Sequence, residues 1–568
     1  MKILRPLIVL GTLTLIIITA LLWWNRPVKV DMSSYVPADS LVYIEINSLP
    51  AITDAVQGTD AWKKVAAELA LNNKAPSAAE MVIARSGLAP VRAVILSRAQ
   101  MALVVVGIDT AEKDDSLRIK PDVALVVETH TTRWRTKDLV ASNIQRLAEF
   151  AYGASTCKER AGDVDYIECA EASGARKIIG AIDGTVVIVG NSDKAVESCL
   201  QVRRGQRPSL HMDQELSQAK RRLKAESALL FGYVSQINAA RLFSLGAPLL
   251  IGKAPGDQQL EQLLSSSAAK IIRGVAWTSE PAAGGIEDLY QISLDSQVTK
   301  RLEPAFDTGT SSDAFWKLIP DSFRSLTVYK NHDPQAAWVS LDSALAMKLD
   351  ALSAVIFASL LKSGLSGFGI EDPKQVLTSI SSPLVTLRPM LGESSLLVAP
   401  IKDEVQLRKA LSASLLKDGK GQILNDIGVD PDKEKEFTAV FVNGFVIIGK
   451  TDSMIPYLGQ LRNKELITPD HLAAMDAIGN KGSGAIVTYS NERDSLLNMV
   501  RPLCQLSGRQ VSEAELVELK QRLEQNSFSR TVSILSEDGI ERRSQSAFGQ
   551  IGSIISLAQA DSSSKPTR

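Results

Sequence analysis

The sequence predicts an α+β protein of two duplicated halves, each with a ferredoxin-like (βαββαβ) core plus extra helices and a closing hairpin, after one N-terminal transmembrane helix. Three observations predict it: a long uncharged run near the N-terminus, an internal repeat at a separation of roughly 255–260 residues, and β-branched runs alternating with amphipathic segments inside each copy.

The uncharged run extends from Pro6 to Trp24, behind Lys2 and Arg5 and ahead of Arg26. At ~1.5 Å per residue it would span roughly 28 Å, close to the hydrocarbon thickness of a bilayer. Trp23 and Trp24 stand where an interfacial aromatic belt falls, and the basic start favours an N-inside orientation. A cleaved signal peptide is the alternative, with Ile18-Thr19-Ala20 as a poor cleavage site. On either reading the rest of the chain is exported.

The repeat is carried by five matches in order. DGTVVIVGNSDKAVESCLQ from Asp183 answers to NGFVIIGKTDSMIPYLGQL from Asn443, setting Gly190 against Gly449 and Asp193 against Asp452. ESALLFGYVSQIN from Glu226 answers to GSGAIVTYSNERD from Gly482, with Ser235 opposite Ser490; Pro248 and Leu260 answer to Pro502 and Leu516. RGVAWTSEPAAGGIEDLYQISL from Arg273 answers to RTVSILSEDGIERRSQSAF from Arg530. A period this long is that of duplicated domains, not of a solenoid.

Within the first copy the expected elements are a strand at Val123–Thr129, a helix over about Lys137–Tyr152, strands at Asp165–Ala170, Lys177–Ile182 and Val186–Val189, and a helix capped by Asp193. A helix near Met212–Leu223 and a strand at Leu229–Val234 follow. The second copy gives strand Ser395–Ala399, helix Asp403–Leu416, hairpin Phe437–Ile448, helices from Asp452 and Asp470, and strand Ala485–Tyr489. The expected boundaries are an anchor at 1–30, a first half at 31–305, a linker at 306–315, a second half at 316–560 and a disordered tail at 561–568. An insertion is expected between Met101 and Asp122, because Val36–Ile46 resembles Leu318–Tyr329 at the larger separation of 283.

Composition narrows the function classes. Lys plus Arg (63) nearly cancel Asp plus Glu (64), which argues against a nucleic-acid partner. The four His are scattered and there is no C-x-x-C, so no metal or other cofactor is expected. Of the four Cys, Cys157 and Cys169 are twelve apart around a polar turn and suit a disulfide; free buried thiols are the alternative.

Several motifs resemble chemistry and fail on context. Gly444–Thr451 fits G-x-x-x-x-G-K-[ST] by letter, but its middle residues Phe-Val-Ile-Ile are strand formers rather than a phosphate loop. Ser359–Lys362 and Ser414–Lys417 fit S-x-x-K without the companion K-T-G or S-D-N. Gly364-Leu-Ser-Gly has the wrong spacing for a nucleophile elbow, and Lys481-Gly-Ser-Gly484 precedes a strand instead of following one. The carboxylate pairs Asp114-Asp115 and Glu168/Glu171 sit in polar stretches. No catalytic residue is assigned.

One family resemblance is present. Pro37-Ala-Asp-Ser-Leu41 directly after the hydrophobic segment, then Leu49-Pro50 and Asp60-Ala-Trp-Lys63, resembles an uncharacterised bacterial family of membrane-anchored envelope proteins, known only as a domain of unknown function. The resemblance covers roughly residues 36–64 and implies a bacterial cell envelope, but no activity. The resulting expectation is a membrane-anchored, extracytoplasmic binding or scaffold protein without catalytic activity. It would sit in the bacterial inner membrane by a single pass, with the bulk of the chain on the periplasmic side. Its partners would be the membrane and an unknown protein or a lipid-like, apolar ligand held between the halves; an envelope serine hydrolase is the alternative.

Overall fold

The computed structural model describes residues 29–68, 99–113, 116–131, 155–171, 173, 176–250, 258–309, 313–349, 364–417, 419–478, 484–493, 496–500, 511–522 and 528–560, with scattered positions at 136–149 and 358–362. The first ten strands are β1 (Val42–Ile46), β2 (Gln100–Lys113), β3 (Ser116–Glu128), β4 (Ser155–Arg160), β5 (Asp165–Glu171), β6 (Lys177–Asp183), β7 (Val186–Gly190), β8 (Leu230–Ser235), β9 (Ile272–Ala282) and β10 (Gly285–Leu294). The next nine are β11 (Phe323–Tyr329), β12 (Leu384–Pro389), β13 (Leu396–Pro400), β14 (Gly421–Leu424), β15 (Phe437–Val442), β16 (Phe445–Lys450), β17 (Ile486–Asn491), β18 (Phe528–Ser536) and β19 (Gly539–Ser546).

All nineteen belong to one mixed sheet, which corrects the expectation of two ferredoxin-like halves. The pairings run β4-β5-β6-β7-β3-β2-β1-β8-β9-β10 on one side. They continue without a break as β19-β18-β17-β11-β12-β13-β16-β15-β14 on the other. The physical reason lies at two places. The strands β1 and β11 each wedge between a neighbouring hairpin strand and the last strand but two of their segment, giving an order no split βαβ unit has. And β10 and β19, which would otherwise be open edges, satisfy each other's backbone groups along eight paired positions from Ile286↔Ser546 to Ser293↔Gly539.

The pairing pattern on the two sides of β10–β19 is alike. Gly190 lies opposite Ala124 and Gly449 opposite Leu396, at matching places in the ladders. A Cβ on Gly190 would sit 3.1 Å from the Val123 carbonyl oxygen, and one on Gly449 would sit 3.2 Å from that of Ser395. The sides differ at the β2–β3 hairpin, which is far longer than β12–β13, and at the outer edge, where β14 pairs parallel to β15.

Helices cover both faces of the sheet. Helix Asp193–Arg203 is capped by Ser192, whose hydroxyl accepts from the Ala195 N–H; Asp193 is its first residue and pairs with Lys177 instead of capping. Helix Thr451–Arg462 begins from Lys450, not Asp452, without a side-chain cap. Two apolar clusters cross between the sides. Val56, Trp62 and Val65 from helices Leu49–Gly58 and Asp60–Glu68 pack with Met499, Phe548 and Ile551. Val298 and Leu302 from helix Ser296–Phe306 pack with Ala344, Leu341 and Leu345 from helix Pro334–Ala346.

Among the described residues no helix is long and apolar enough to cross a membrane. That finding stands against the expected single span, the membrane as a partner and a single-pass inner-membrane location; Pro6–Trp24, on which they rested, lies outside the described residues. Asp114-Asp115, Lys481–Ser483, Cys504 and the expected tail lie outside them too.

Candidate functional site

A cavity of about 560 Å³ lies where β10 meets β19, in the range of small-molecule sites. Strand alternation sets its floor: residues two apart point to the same face. Ser490 pairs with Ser529, Thr531 with Ser544, Ser544 with Asp288, and Arg542 with Tyr290. These seven polar side chains, drawn from β17, β18, β19 and β10, form a hydroxyl-rich floor, with Thr531 and Ser544 hydroxyls 2.9 Å apart. Leu496, Met499 and Phe548 form an apolar wall.

The start of helix Gly549–Ala560 closes one end, held by three acceptors. The Ser546 hydroxyl accepts from the Gly549 N–H at 2.9 Å, and Asp288 Oδ2 from the Gln550 N–H at 3.0 Å. Glu492 accepts from the Ala547 N–H at 2.9 and 3.1 Å. Carboxylates suit a helix N-terminus, where unpaired N–H groups concentrate positive charge. Gly549 has φ +55°, and a Cβ there would press on Asp288 at 2.8 Å, so the close approach of helix and carboxyl requires glycine.

Asp288 is 2% exposed. Burial raises its pKa to about 6, opposed by bonds from the Ser279 hydroxyl (2.5 Å) and the Gln550 N–H and reinforced by Glu287. Burial likewise raises Glu492 to about 7, opposed by the Ala547 N–H and reinforced by Asp288. Tyr290 is pushed up to about 12 by burial and by Asp288, and its oxygen accepts from the Gln550 side-chain amide. A smaller cavity of about 180 Å³ lies on the opposite face of β10, beside the Arg222–Asp538 ion pair (3.1 Å).

The residues singled out by sequence fall elsewhere. Phe445–Lys450 is strand β16, so the P-loop lettering covers a ladder rather than a phosphate cradle. Ser414 accepts from the Glu371 N–H at 3.4 Å and Lys417 lies 3.8 Å from the Glu371 carboxylate, at an exposed helix end. Ser359 and Lys362 are exposed. Glu171 binds Arg176 and Glu168 lies by Lys177. His211 pairs with Asp31, His471 with Asp321 and His130 with Gln100. Cys157 and Cys169 are bridged across facing positions of β4 and β5. The resembling motif is structural in its surroundings: Trp62 is buried in the crossing cluster and Asp39 pairs with Arg207.

Sequence reasoning missed Asp288 and Glu492. A signal existed for the first: in Gly285–Leu294 the alternating set Ile286, Asp288, Tyr290, Ile292 places one carboxylate on an otherwise apolar or aromatic face. Nothing local marks Glu492.

No family model, curated protein or solved structure matches this chain. The resemblance over residues 36–64 therefore rests on those residues alone.

Proposed function

We propose that the chain is a non-catalytic binding protein that holds a small molecule in the cavity between β10 and the β17–β19 strands. The observation that carries this reading is a cavity of about 560 Å³ whose floor is polar and drawn from both sides of the β10–β19 ladder. The carboxyls that would be needed for acid–base chemistry are instead bonded to the backbone of a helix start, which favours binding over turnover. The hydroxyl-rich floor favours a polar ligand over the apolar one expected from sequence.

The test is to fill the cavity. Ser544→Trp places an indole on its floor; circular dichroism would verify the fold. Mass spectrometry of small molecules released from the purified full chain should show a species that the variant lacks. Identical profiles, or a wild type that releases nothing, would overturn the reading.

A further inference from the structure

Resting on that reading, we propose that the ligand is a small zwitterion of about dipeptide size, its ammonium held by Asp288 and Glu492 and its carboxylate by Arg542. Both signs of charge line the cavity, and each lacks its counterpart. Neither Asp288 nor Glu492 meets a cationic side chain among the described residues, and Arg542 enters no ion pair among them. Carboxyls held away from water without a cation are costly, and an arriving ammonium removes that cost. Each carboxylate oxygen that accepts one backbone N–H keeps a lone pair for a ligand donor.

The spacing suits one molecule bridging both ends. Ser544 is the ladder partner of Asp288, and Arg542 stands two residues before it on the same face, roughly 7 Å along β19. Ser544, Thr531 and Tyr290 flank them on the same floor, hydroxyls suited to the peptide or other polar link of such a ligand. Arg542 is exposed, which leaves its guanidinium free to close on a carboxylate in a two-pronged bond.

The experiment uses calorimetric titration of the full chain with three probes: alanyl-alanine, its N-acetyl form and its C-terminal amide. Blocking either charge should weaken binding by about tenfold or more. Arg542→Ala should erase the preference for the dipeptide over its amide, and Glu492→Gln the preference over the acetylated form. Arg542 is at the surface, so its arm stands even where a Glu492 variant folds poorly. Equal binding of the three probes, or no binding of any while Ser544→Trp still removes the released species, overturns the zwitterion and leaves the binding reading in place. No binding together with an inert Ser544→Trp removes both.

Discussion

Leu289 faces Arg543 in the β10–β19 ladder, and each stands four residues beyond the glycine that opens its strand, Gly285 or Gly539. The junction is thus paired about its own centre, and a single ladder ties the β1–β10 strands to the β11–β19 strands. Proline at Leu289 would remove a donor from an interior strand, where it is not tolerated. Leu289→Pro should replace one calorimetric unfolding transition by two at lower temperature. A variant that melts once, at the wild-type temperature, would show that the ladder does not couple the sides.

The two matched glycines give a second expectation. An alanine methyl at Gly190 would meet Val196 at 2.8 Å, and at Gly449 it would meet Leu396 at 2.5 Å, each also crowding a carbonyl. Either substitution should destabilise by about 1–3 kcal/mol, as overpacking does. Urea denaturation measures it, and values near zero for both would mean that the Val196 and Leu396 side chains give way freely.

Lys220 anchors a buried network. Its ammonium lies 2.8 Å from Asp31 and 2.6 Å from Glu45, above the rings of Tyr43 and Phe231. Glu45 is 7% exposed, so Lys220→Met strands a carboxylate and should cost about 3–5 kcal/mol. Adding Glu45→Gln should recover part of the loss. A double variant no more stable than the single one would place the cost in packing instead.

The dependence on pH follows from two groups of opposite sign. Asp288 and Glu492 have folded pKa values raised to about 6 and about 7, so the stability they contribute is whole below about pH 4 and is lost as pH rises through those values. For Asp31, burial acts to raise the pKa but bonds from Lys220 and Ser33 prevail and hold it below the usual carboxylate range; its contribution is present above about pH 4 and is lost in acid. The melting temperature should decline between about pH 5 and pH 8, and less steeply in Glu492→Gln. An unchanged slope in that variant would refute the assignment to Glu492.

The bridge between Cys157 and Cys169 joins the outermost strand to its neighbour across twelve residues of chain. Its removal by Cys157→Ser should loosen β4 and β5 by about 3 kcal/mol. Because β4 is an edge, hydrogen exchange should rise there and stay unchanged in β10 and β19. Equal loss of protection throughout the sheet would show that this edge governs the whole.

Local signals read well where one element decides its own fate. The hairpin of β15 and β16 follows from Asn443-Gly444 between β-branched runs, with Asn443 and Gly444 at φ +48° and +80° as such a turn requires. Pairings decided by distant strands did not read. Gln100–Lys113 looks like any half-buried run until β3 folds against it, and nothing in Gly285–Leu294 names Gly539–Ser546 as its partner. The cavity shares that fate: Asp288, Glu492, Thr531 and Arg542 come from four strand regions, and only the completed ladder sets them around one space. Caps were misassigned for a smaller reason. Ser192 and Asp193 both suit a helix start, and adjacency left the pattern unable to choose between them.

The clusters that cross the junction bear on synthesis. Val56, Trp62 and Val65 are among the first described residues to leave the ribosome, yet the side chains that cover them, Phe548 and Ile551, are among the last. Leu229, Leu230 and Ile286 of the same cluster emerge about midway, so the nascent chain carries this tryptophan-bearing face only partly covered until the last stage of translation. Shielding of residues 49–68 by a chaperone during that interval, and aggregation of nascent chains truncated before Phe548, are the cellular counterparts of this exchange of helices.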